Sequence, residues 1–312
     1  MEGWPPDVSR NLSLYLKPGL ETAIIRPTKS VISSNVIKPD TQNNVIKWRG
    51  VNYYPNYILI CVHSAPSSIQ RRALIRKTWA KGQTNLPIKV FFIIGINQST
   101  SSKDLRDESE RFGDILQENF VDSYNNLTLK SMFMLKYSQT LDKKVKYLMK
   151  VDDDSYVNLK RLMDYMTIIQ KRCSEKCILG HVLGPGSPVN RPNYSDIAKQ
   201  NRQFTEKWEV PGYIYQNDVF PNAVSGSGYV ITTDAINCVY NAGLKTSFLN
   251  LEDVFITGLA AAQCQIILRN SQWFAYMGKR TKFVKKQDIL IHGLKKDTEL
   301  MEVYKRLQIL YN

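Results

Sequence analysis

Val145-Lys146-Tyr147-Leu148-Met149-Lys150-Val151, followed at once by Asp152-Asp153-Asp154, decides how this chain is read. The seven residues are strand-like, and Ser155-Tyr156-Val157 carries the chain away, so three carboxylates project from a strand end rather than from a tail. Carboxylate oxygens suit a hard divalent cation such as Mn²⁺ or Mg²⁺, whose open coordination positions can take the oxygens of a diphosphate. Three acids after a strand also describe a solvated turn or a helix start, because Asp favours both turns and N-caps. The flanking sequence has to choose between these readings.

Outward from this segment, strand-like runs alternate with helical ones. Tyr57 to His63 precedes Ser67 to Ala80, Ile88 to Gly95 precedes Ser101 to Phe112, and Ile115 to Phe120 precedes Asn125 to Leu141. Val145 to Val151 then precedes a helix over Leu159 to Lys171. Repeated strand–helix units predict an α/β fold with a mostly parallel central sheet and helices on both faces. Ligands in such sheets sit beyond the carboxyl ends of the strands, where Asp152 to Asp154 fall. The second half is less regular: Gly180 to Tyr194 and Pro211 to Pro221 read as long loops, followed by a strand over Gly228 to Thr232 and a helix from about Asp234. Residues 1–55 mix Pro, Ser, Asn and Lys and read as a stem or linker, leaving 56–312 as the catalytic domain.

A chain of 312 residues with 43% hydrophobic and 22% charged residues is long enough for one large core. Its longest apolar stretches, Tyr57 to Val62, Val90 to Ile96 and Val254 to Ala262, fall short of the roughly 18 residues of a membrane span. The N-terminus shows no charged start and apolar block of a signal peptide. The net charge of +14 is dispersed apart from Arg71-Arg72, Lys143-Lys144 and Lys279 to Lys286, and no aromatic-plus-basic module accompanies it, which argues against nucleic acid. Sequons at Asn11, Asn97, Asn126 and Asn193 permit a secretory setting without requiring it. Cys61 and Cys264 lie in apolar stretches that favour buried free thiols, whereas Cys173 and Cys177 are close enough to pair in an oxidising compartment.

Three further groups carry chemical options. Arg72 and Arg76 lie one turn apart on the first helix, with Arg71 beside them, and offer either a seat for a diphosphate or a solvated flank. Glu252 and Asp253 open an apolar helix, where acids complement the dipole; the sharper reading makes Asp253 a general base, although a helix N-terminus lowers its basicity. His292 follows the strand-like Asp288-Ile289-Leu290-Ile291 and is the best histidine to complete a metal shell at Asp154. Gly226-Ser227-Gly228 lacks a third glycine and precedes a strand, so ordinary dinucleotide and P-loop sites are excluded.

Taken in order, Arg71 to Trp79 (RRALIRKTW), Phe120 to Lys130 (FVDSYNNLTLK), Lys150 to Asp154 (KVDDD), Ser225 to Val230 (SGSGYV), Glu252 to Phe255 (EDVF) and His292 resemble the β-1,3-glycosyltransferase family. That family contains the β-1,3-galactosyltransferases and β-1,3-N-acetylglucosaminyltransferases, and the resemblance covers Tyr57 to the C-terminus. It implies a GT-A nucleotide-sugar-binding αβα sandwich with a smaller acceptor-binding region, and inverting transfer from a UDP-sugar to a 3-hydroxyl of a glycan on protein or lipid. By resemblance, Asp152 to Asp154 form the metal and UDP-ribose site, with Asp154 and His292 as metal ligands beside Asp152, and Mn²⁺ expected over Mg²⁺. Asp253 is then the catalytic base, Arg72, Arg76 and Lys130 line the UDP pocket, and Gly226 to Tyr229, with Gly228 between, faces the transferred sugar. Galactose from UDP-galactose is the expected donor, N-acetylglucosamine transfer the alternative, and a non-catalytic sugar- or nucleotide-binding homologue the reading from another class. The family implies a Golgi membrane anchor, which this sequence does not display.

Overall fold

The computed structural model describes residues 4–28, 46–53, 57–97, 100–141, 145–170, 172–184, 186–191, 208–274 and 284–311. Helix α1 (Ser13–Leu16), strand β1 (Ala23–Ile25) and the hairpin of β2 (Ile46–Trp48) and β3 (Val51–Tyr53) come first. The expected alternation follows as β4 (Ile58–His63), α2 (Ile69–Lys77), β5 (Ile88–Ile96), α3 (Ser102–Phe112), β6 (Ile115–Val121), α4 (Leu127–Ser138), β7 (Tyr147–Asp152), β8 (Tyr156–Val157) and α5 (Leu159–Ile169). The remainder holds β9 (Cys177–Leu183), β10 (Ala223–Thr232), α6 (Thr233–Lys245), a π-helical segment (Val254–Ala260), α7 (Ala261–Gln263), β11 (Ile267–Asn270), β12 (Leu290–Ile291) and α8 (Asp297–Tyr311).

Eight strands form one sheet in the order β1-β6-β5-β4-β7-β10-β9-β11. Its middle is parallel: β6, β5, β4 and β7 run the same way, and β10 joins antiparallel to both β7 and β9. The fold is therefore α/β with a mostly parallel centre. Every residue of β4 is buried, as expected when helices cover both faces and neither side of a strand meets water. Alternation sorts the side chains: Leu59, Cys61 and Leu148 face a layer built on α4 and α6, while Ile58, Ile60, Met149 and Val151 face a layer built on α5 and α8. Lys150, on the same face as Leu148, points toward the α4 side. The carboxyl ends of β4 and β7 finish level, with His63 paired to Asp152.

Four expectations are corrected here. Residues 4–28 are not a linker: Trp4, Leu12 and Leu16 are buried in the core, and β1 pairs antiparallel with β6 and closes that sheet edge. Trp4 stacks on Phe248 at 3.6 Å between ring centroids, and Tyr15 meets it edge-on. Gly180 to Leu183 is the end of β9, not loop, and Gly226-Ser227-Gly228 lies within β10 instead of preceding a strand. Cys264 is not a free thiol: it is bonded to Cys238, and Cys173 pairs with Cys177, so Cys61 alone is free and buried. Residues 29–45, the sequon at Asn193 and most of the Lys279 to Lys286 group lie outside the described residues. No helix among the described residues is long and apolar enough to cross a membrane.

Anchoring residues 4–28 through one indole has a measurable consequence. Trp4→Ala should lower unfolding stability by about 3 kcal/mol, the usual cost of removing a buried tryptophan, read as a shifted denaturation midpoint. An unchanged midpoint would mean that the N-terminal segment does not belong to the folded unit.

Candidate active site

The aspartate triplet emerges from the end of β7, and β8 turns the chain back. β12 pairs antiparallel with β8, Leu290 opposite Val157 and Ile291 opposite Tyr156, and that pairing carries His292 to the acids. His292 Nε2 lies 3.3 Å from Asp154 Oδ1 and 3.9 Å from Asp152 Oδ2. One ligand atom from each of Asp152, Asp154 and His292 falls within 4.8 Å of the others. The 3.3 Å contact is not aligned as a hydrogen bond, so Asp154 Oδ1 is a buried oxygen without a partner, as is the His292 Nδ1 nitrogen. Burial raises the Asp154 carboxyl above its ordinary value, opposed by His292. An orphaned, desolvated carboxylate oxygen facing an imidazole and a second carboxylate fits a divalent cation of the Mn²⁺ or Mg²⁺ type.

Asp153 does not join this group. Its Oδ2 accepts from Ser64 Oγ at 2.8 Å, its amide donates to His63 O at 3.1 Å, and its carbonyl accepts from Arg71 Nε at 2.7 Å. It locks the turn against the end of β4. Arg71 also reaches Asp297 and the Leu294 carbonyl, and the Leu294 amide donates to Asp154 O at 2.8 Å, so the triplet is clamped to the start of α8.

A second acidic centre lies beneath. Lys150 is fully buried, with Nζ 2.7 Å from Asp152 Oδ1, 2.6 Å from Gly226 O and 3.5 Å from Glu252 Oε2. Burial alone would drive its ammonium to a lower pKa, but the Asp152 and Glu252 carboxylates outweigh it and hold the group above its ordinary value. Glu252 Oε1 accepts from Ser131 Oγ at 2.5 Å and from Tyr229 Oη at 2.7 Å. Neither Lys150 nor Glu252 carried a role in the sequence reading. The signal was there: a lysine inside a strand otherwise apolar on both faces needs a buried partner.

Asp253 caps the π-helical segment. Its Oδ1 accepts from Val254 N at 2.9 Å and its Oδ2 from Gly226 N at 2.8 Å, while Thr257 Oγ1 donates to its carbonyl at 2.6 Å. The two amide bonds pull its pKa down, but burial outweighs them and the carboxyl lies above its ordinary value. A Cβ at residue 226 would lie 3.2 Å from Asp253 Oδ2, and one at 228 would lie 2.8 Å from Leu290 Cδ2, so both glycines permit close approach within β10.

The cations expected at a diphosphate are engaged elsewhere. All five Arg72 N–H donors are taken, by both Glu108 oxygens, Ser64 Oγ and the Ala65 and Pro66 carbonyls. Arg76 binds both oxygens of Asp114 and one of Glu108, with its plane over Phe92 and Phe112. Burial would raise the Glu108 carboxyl, but Arg72 and Arg76 hold it below its ordinary value. These two arginines brace α2 against α3 and do not form the expected phosphate seat. Lys130 is buried, donating to Ser64 O at 2.9 Å and paired with Asp122 at 2.7 Å, so its ammonium also supports the β4 end.

At the rim, Trp208 Nε1 donates to Tyr124 Oη at 2.8 Å. Burial pushes the Tyr124 hydroxyl up to about 12, the Trp208 bond opposes it, and the charges of Asp253 and Asp152 raise it further.

A helix-flanked, mostly parallel sheet that sets a cation triad beside a separate basic carboxylate has the parts of a glycosyltransferase. The galactosyltransferase family model matches residues 70–272, and the chain belongs to that family. It is 30% identical over 261 residues to beta-1,3-galactosyltransferase 5 of Mus musculus, covering 81% of this chain and 80% of that one. It is 28% identical over 232 residues to lactosylceramide 1,3-N-acetyl-beta-D-glucosaminyltransferase of Rattus norvegicus, covering 71% of this chain and 58% of that one. Among solved structures, galactosyltransferase LgtC with donor and acceptor sugar analogues aligns over 81% of this chain and 94% of that chain, at 9% identity and a TM-score of 0.42, too distant to carry an argument.

Because Lys150 pairs charges inside the fold, Lys150→Met should destabilise the protein by about 3 kcal/mol or more by leaving Asp152 and Glu252 uncompensated. Urea titration checks this, and a variant as stable as the parent would show the ammonium to be dispensable.

Proposed function

We propose that the protein is an inverting, metal-dependent hexosyltransferase that moves galactose from UDP-galactose to a 3-hydroxyl of an acceptor glycan, forming a β-1,3 linkage. The observation that carries this reading is the triad itself: Asp152, Asp154 and His292 each place a ligand atom within 4.8 Å of the others, and among the described residues the buried Asp154 Oδ1 has no hydrogen-bond partner. Asp253 takes the proton of the acceptor hydroxyl as that oxygen attacks the anomeric carbon from the face opposite UDP. The new C–O bond forms while the bond to the diphosphate breaks, and UDP leaves with the electron pair. A divalent cation held by Asp152, Asp154 and His292 would neutralise the charge that grows on the departing diphosphate, which removes the need for the acid that glycoside hydrolysis requires. Asp153 and the amide-lined Gly226 to Gly228 stretch are assigned to the donor nucleotide and sugar. The second reading is transfer of N-acetylglucosamine, favoured by the similarity to the rat N-acetylglucosaminyltransferase.

The compartment is proposed as the Golgi lumen, because two disulfides call for an oxidising setting. The partners are a UDP-sugar and a glycan on protein or lipid, and nucleic acid has no place in this reading.

Asp253→Asn should reduce transfer at least about 100-fold, as loss of a general base does, with UDP affinity retained; undiminished transfer would remove Asp253 from the role. The acid limb of kcat/KM against pH should lie above the ordinary aspartate value of about 3.9. The sign follows from the base acting as carboxylate: a raised pKa means protonation, and loss of rate, sets in at higher pH. A limb at or below the ordinary value would contradict it. Asp154→Ala should weaken Mn²⁺-dependent UDP binding in calorimetric titration, and equal affinity would refute the ligand assignment.

A further inference from the structure

We propose that the cavity where Trp48 of β2, the 3₁₀ segment after α2 (Trp79–Asn85) and α8 meet the start of α5 is a second ligand site, one for an acidic sugar: a pyranose ring carrying a carboxylate or a sulfate. Its volume is about 370 Å³, inside the range of roughly 300–1,000 Å³ in which small-molecule sites fall. None of Asp152, Asp154, His292 and Asp253 is among its described lining residues. Its buried wall, made by Trp79, Tyr156, Val157, Leu159 and Leu307, belongs to the core layer built on α5 and α8. Val254 and Phe255, which follow Asp253, belong to the opposite layer. The site therefore stands or falls independently of the transfer reaction proposed above.

The fold has already ordered the frame of this cavity. Asn158, which precedes α5, donates through Nδ2 to Lys286 O at 3.2 Å and to Asp288 O at 3.1 Å, and its Oδ1 accepts from Tyr311 Oη at 3.0 Å. Trp48 Nε1 donates to Asp164 Oδ1 at 3.2 Å, and Arg49 Nη2 donates to Asp164 Oδ2 at 2.8 Å. These bonds fix the rings of Trp48 and Tyr311 before anything binds, so little side-chain freedom is left to lose when an occupant arrives.

Three features of the lining select the occupant. Trp48, Tyr304 and Tyr311 are half-buried and offer apolar ring surface, on which the C–H face of a pyranose stacks. Lys81 and Lys160 are exposed in the lining, and no carboxylate is among its described residues, so the cavity favours an anion. Lys160 Nζ and Lys286 Nζ lie 5.3 Å and 4.9 Å from the centre of the Tyr311 ring, which adds to the positive charge there. The neighbouring Asp164 does not cancel it, since Arg49 already pairs with that carboxylate. Trp79 is 3% exposed, and its Nε1 has no hydrogen-bond partner among the described residues. A buried N–H left unbonded calls for an acceptor. A fatty chain would leave this N–H and both lysines unmatched, and a bare inorganic anion would leave the rings uncovered. An acidic pyranose brings an apolar face, hydroxyl acceptors and a negative charge in one molecule.

Saturation-transfer NMR and tryptophan-fluorescence titration of the full chain test this. The probes are methyl β-D-glucuronide and methyl β-D-glucoside 6-sulfate, with methyl β-D-glucoside as the neutral control. At least one acidic glycoside should bind about tenfold or more tightly than the control, and the tighter of the two tells the carboxylate source from the sulfate. The double variant Lys81→Gln with Lys160→Gln changes exposed positions only and should erase that preference. Trp48→Ala should weaken binding of the acidic glycoside about tenfold, with Tyr304→Ala in its place if loss of the Asp164 bond unfolds the hairpin. Asp154→Ala should bind the glycosides as the parent does. The proposal is overturned if neither acidic glycoside binds, if the control or benzoate binds as tightly, or if the lysine variant keeps the preference. It is equally overturned if the aromatic variants bind as the parent does, or if Asp154→Ala loses binding, which would assign the signal to the cation triad. A protein that transfers no sugar yet shows the lysine-dependent preference leaves this site standing while the transferase reading falls.

Discussion

The arrangement of this centre depends on one buried ammonium. A lysine sealed inside a sheet is tolerable only when its charge is matched and its donors are used, because desolvating an unpaired ion costs several kcal/mol. Lys150 meets that condition through Asp152, the Gly226 carbonyl and Glu252, which belong to β7, to β10 and to the start of the π-helical segment. One cation thus fixes the spacing of three elements. The orientation of Asp152, the path of β10 past Asp253 and the seat of Glu252 are parts of a single electrostatic solution. Ser131 and Tyr229 complete it by occupying the oxygen of Glu252 that Lys150 does not approach.

Around this knot the protein separates two kinds of carboxylate. Those of Glu108 and Asp114 are matched by Arg72 and Arg76 and serve as structural ties. Asp154 and Asp253 are set apart, one by an oxygen that no described residue hydrogen-bonds, the other by burial that opposes its amide bonds. The arginines make the same point with the opposite sign. A guanidinium whose five N–H groups are all bonded has nothing to offer a phosphate, so charge near a site is not evidence of a ligand until its donors are counted.

Much of the architecture was legible in the sequence because periodicity and punctuation agree. The strand read at Val145 to Val151 is β7 at Tyr147–Asp152, and the helix read at Asn125 to Leu141 is α4 at Leu127–Ser138. Asp152, Asp154 and His292 do converge, although no local pattern could supply the β8–β12 pairing that brings them together. The misses share a cause: each depends on contacts distant in the chain. Arg72 and Arg76 do share a helix face, but Glu108 and Asp114, which bind them, come from α3 and the residue after its capping glycine. Trp4 stands apart from other apolar residues, and Leu12 and Leu16 mark a helical face only one turn long, too short to announce a core. Lys150, in a strand otherwise apolar on both faces, announces a buried partner, but that the partners are Asp152, Gly226 and Glu252 depends on elements distant in the chain.

The bond between Cys238 and Cys264 ties α6 to the turn that ends α7, directly downstream of the helical segment that starts at Asp253. Closing that loop restricts the unfolded chain more than the folded one. Asp253 is therefore mounted on a helix whose far end is covalently tethered, whereas Asp152, Asp154 and His292 sit at the ends of β7 and β12, outside that tether. Reduction of that bond would in this way bear on the Asp253 side of the centre and spare the other side.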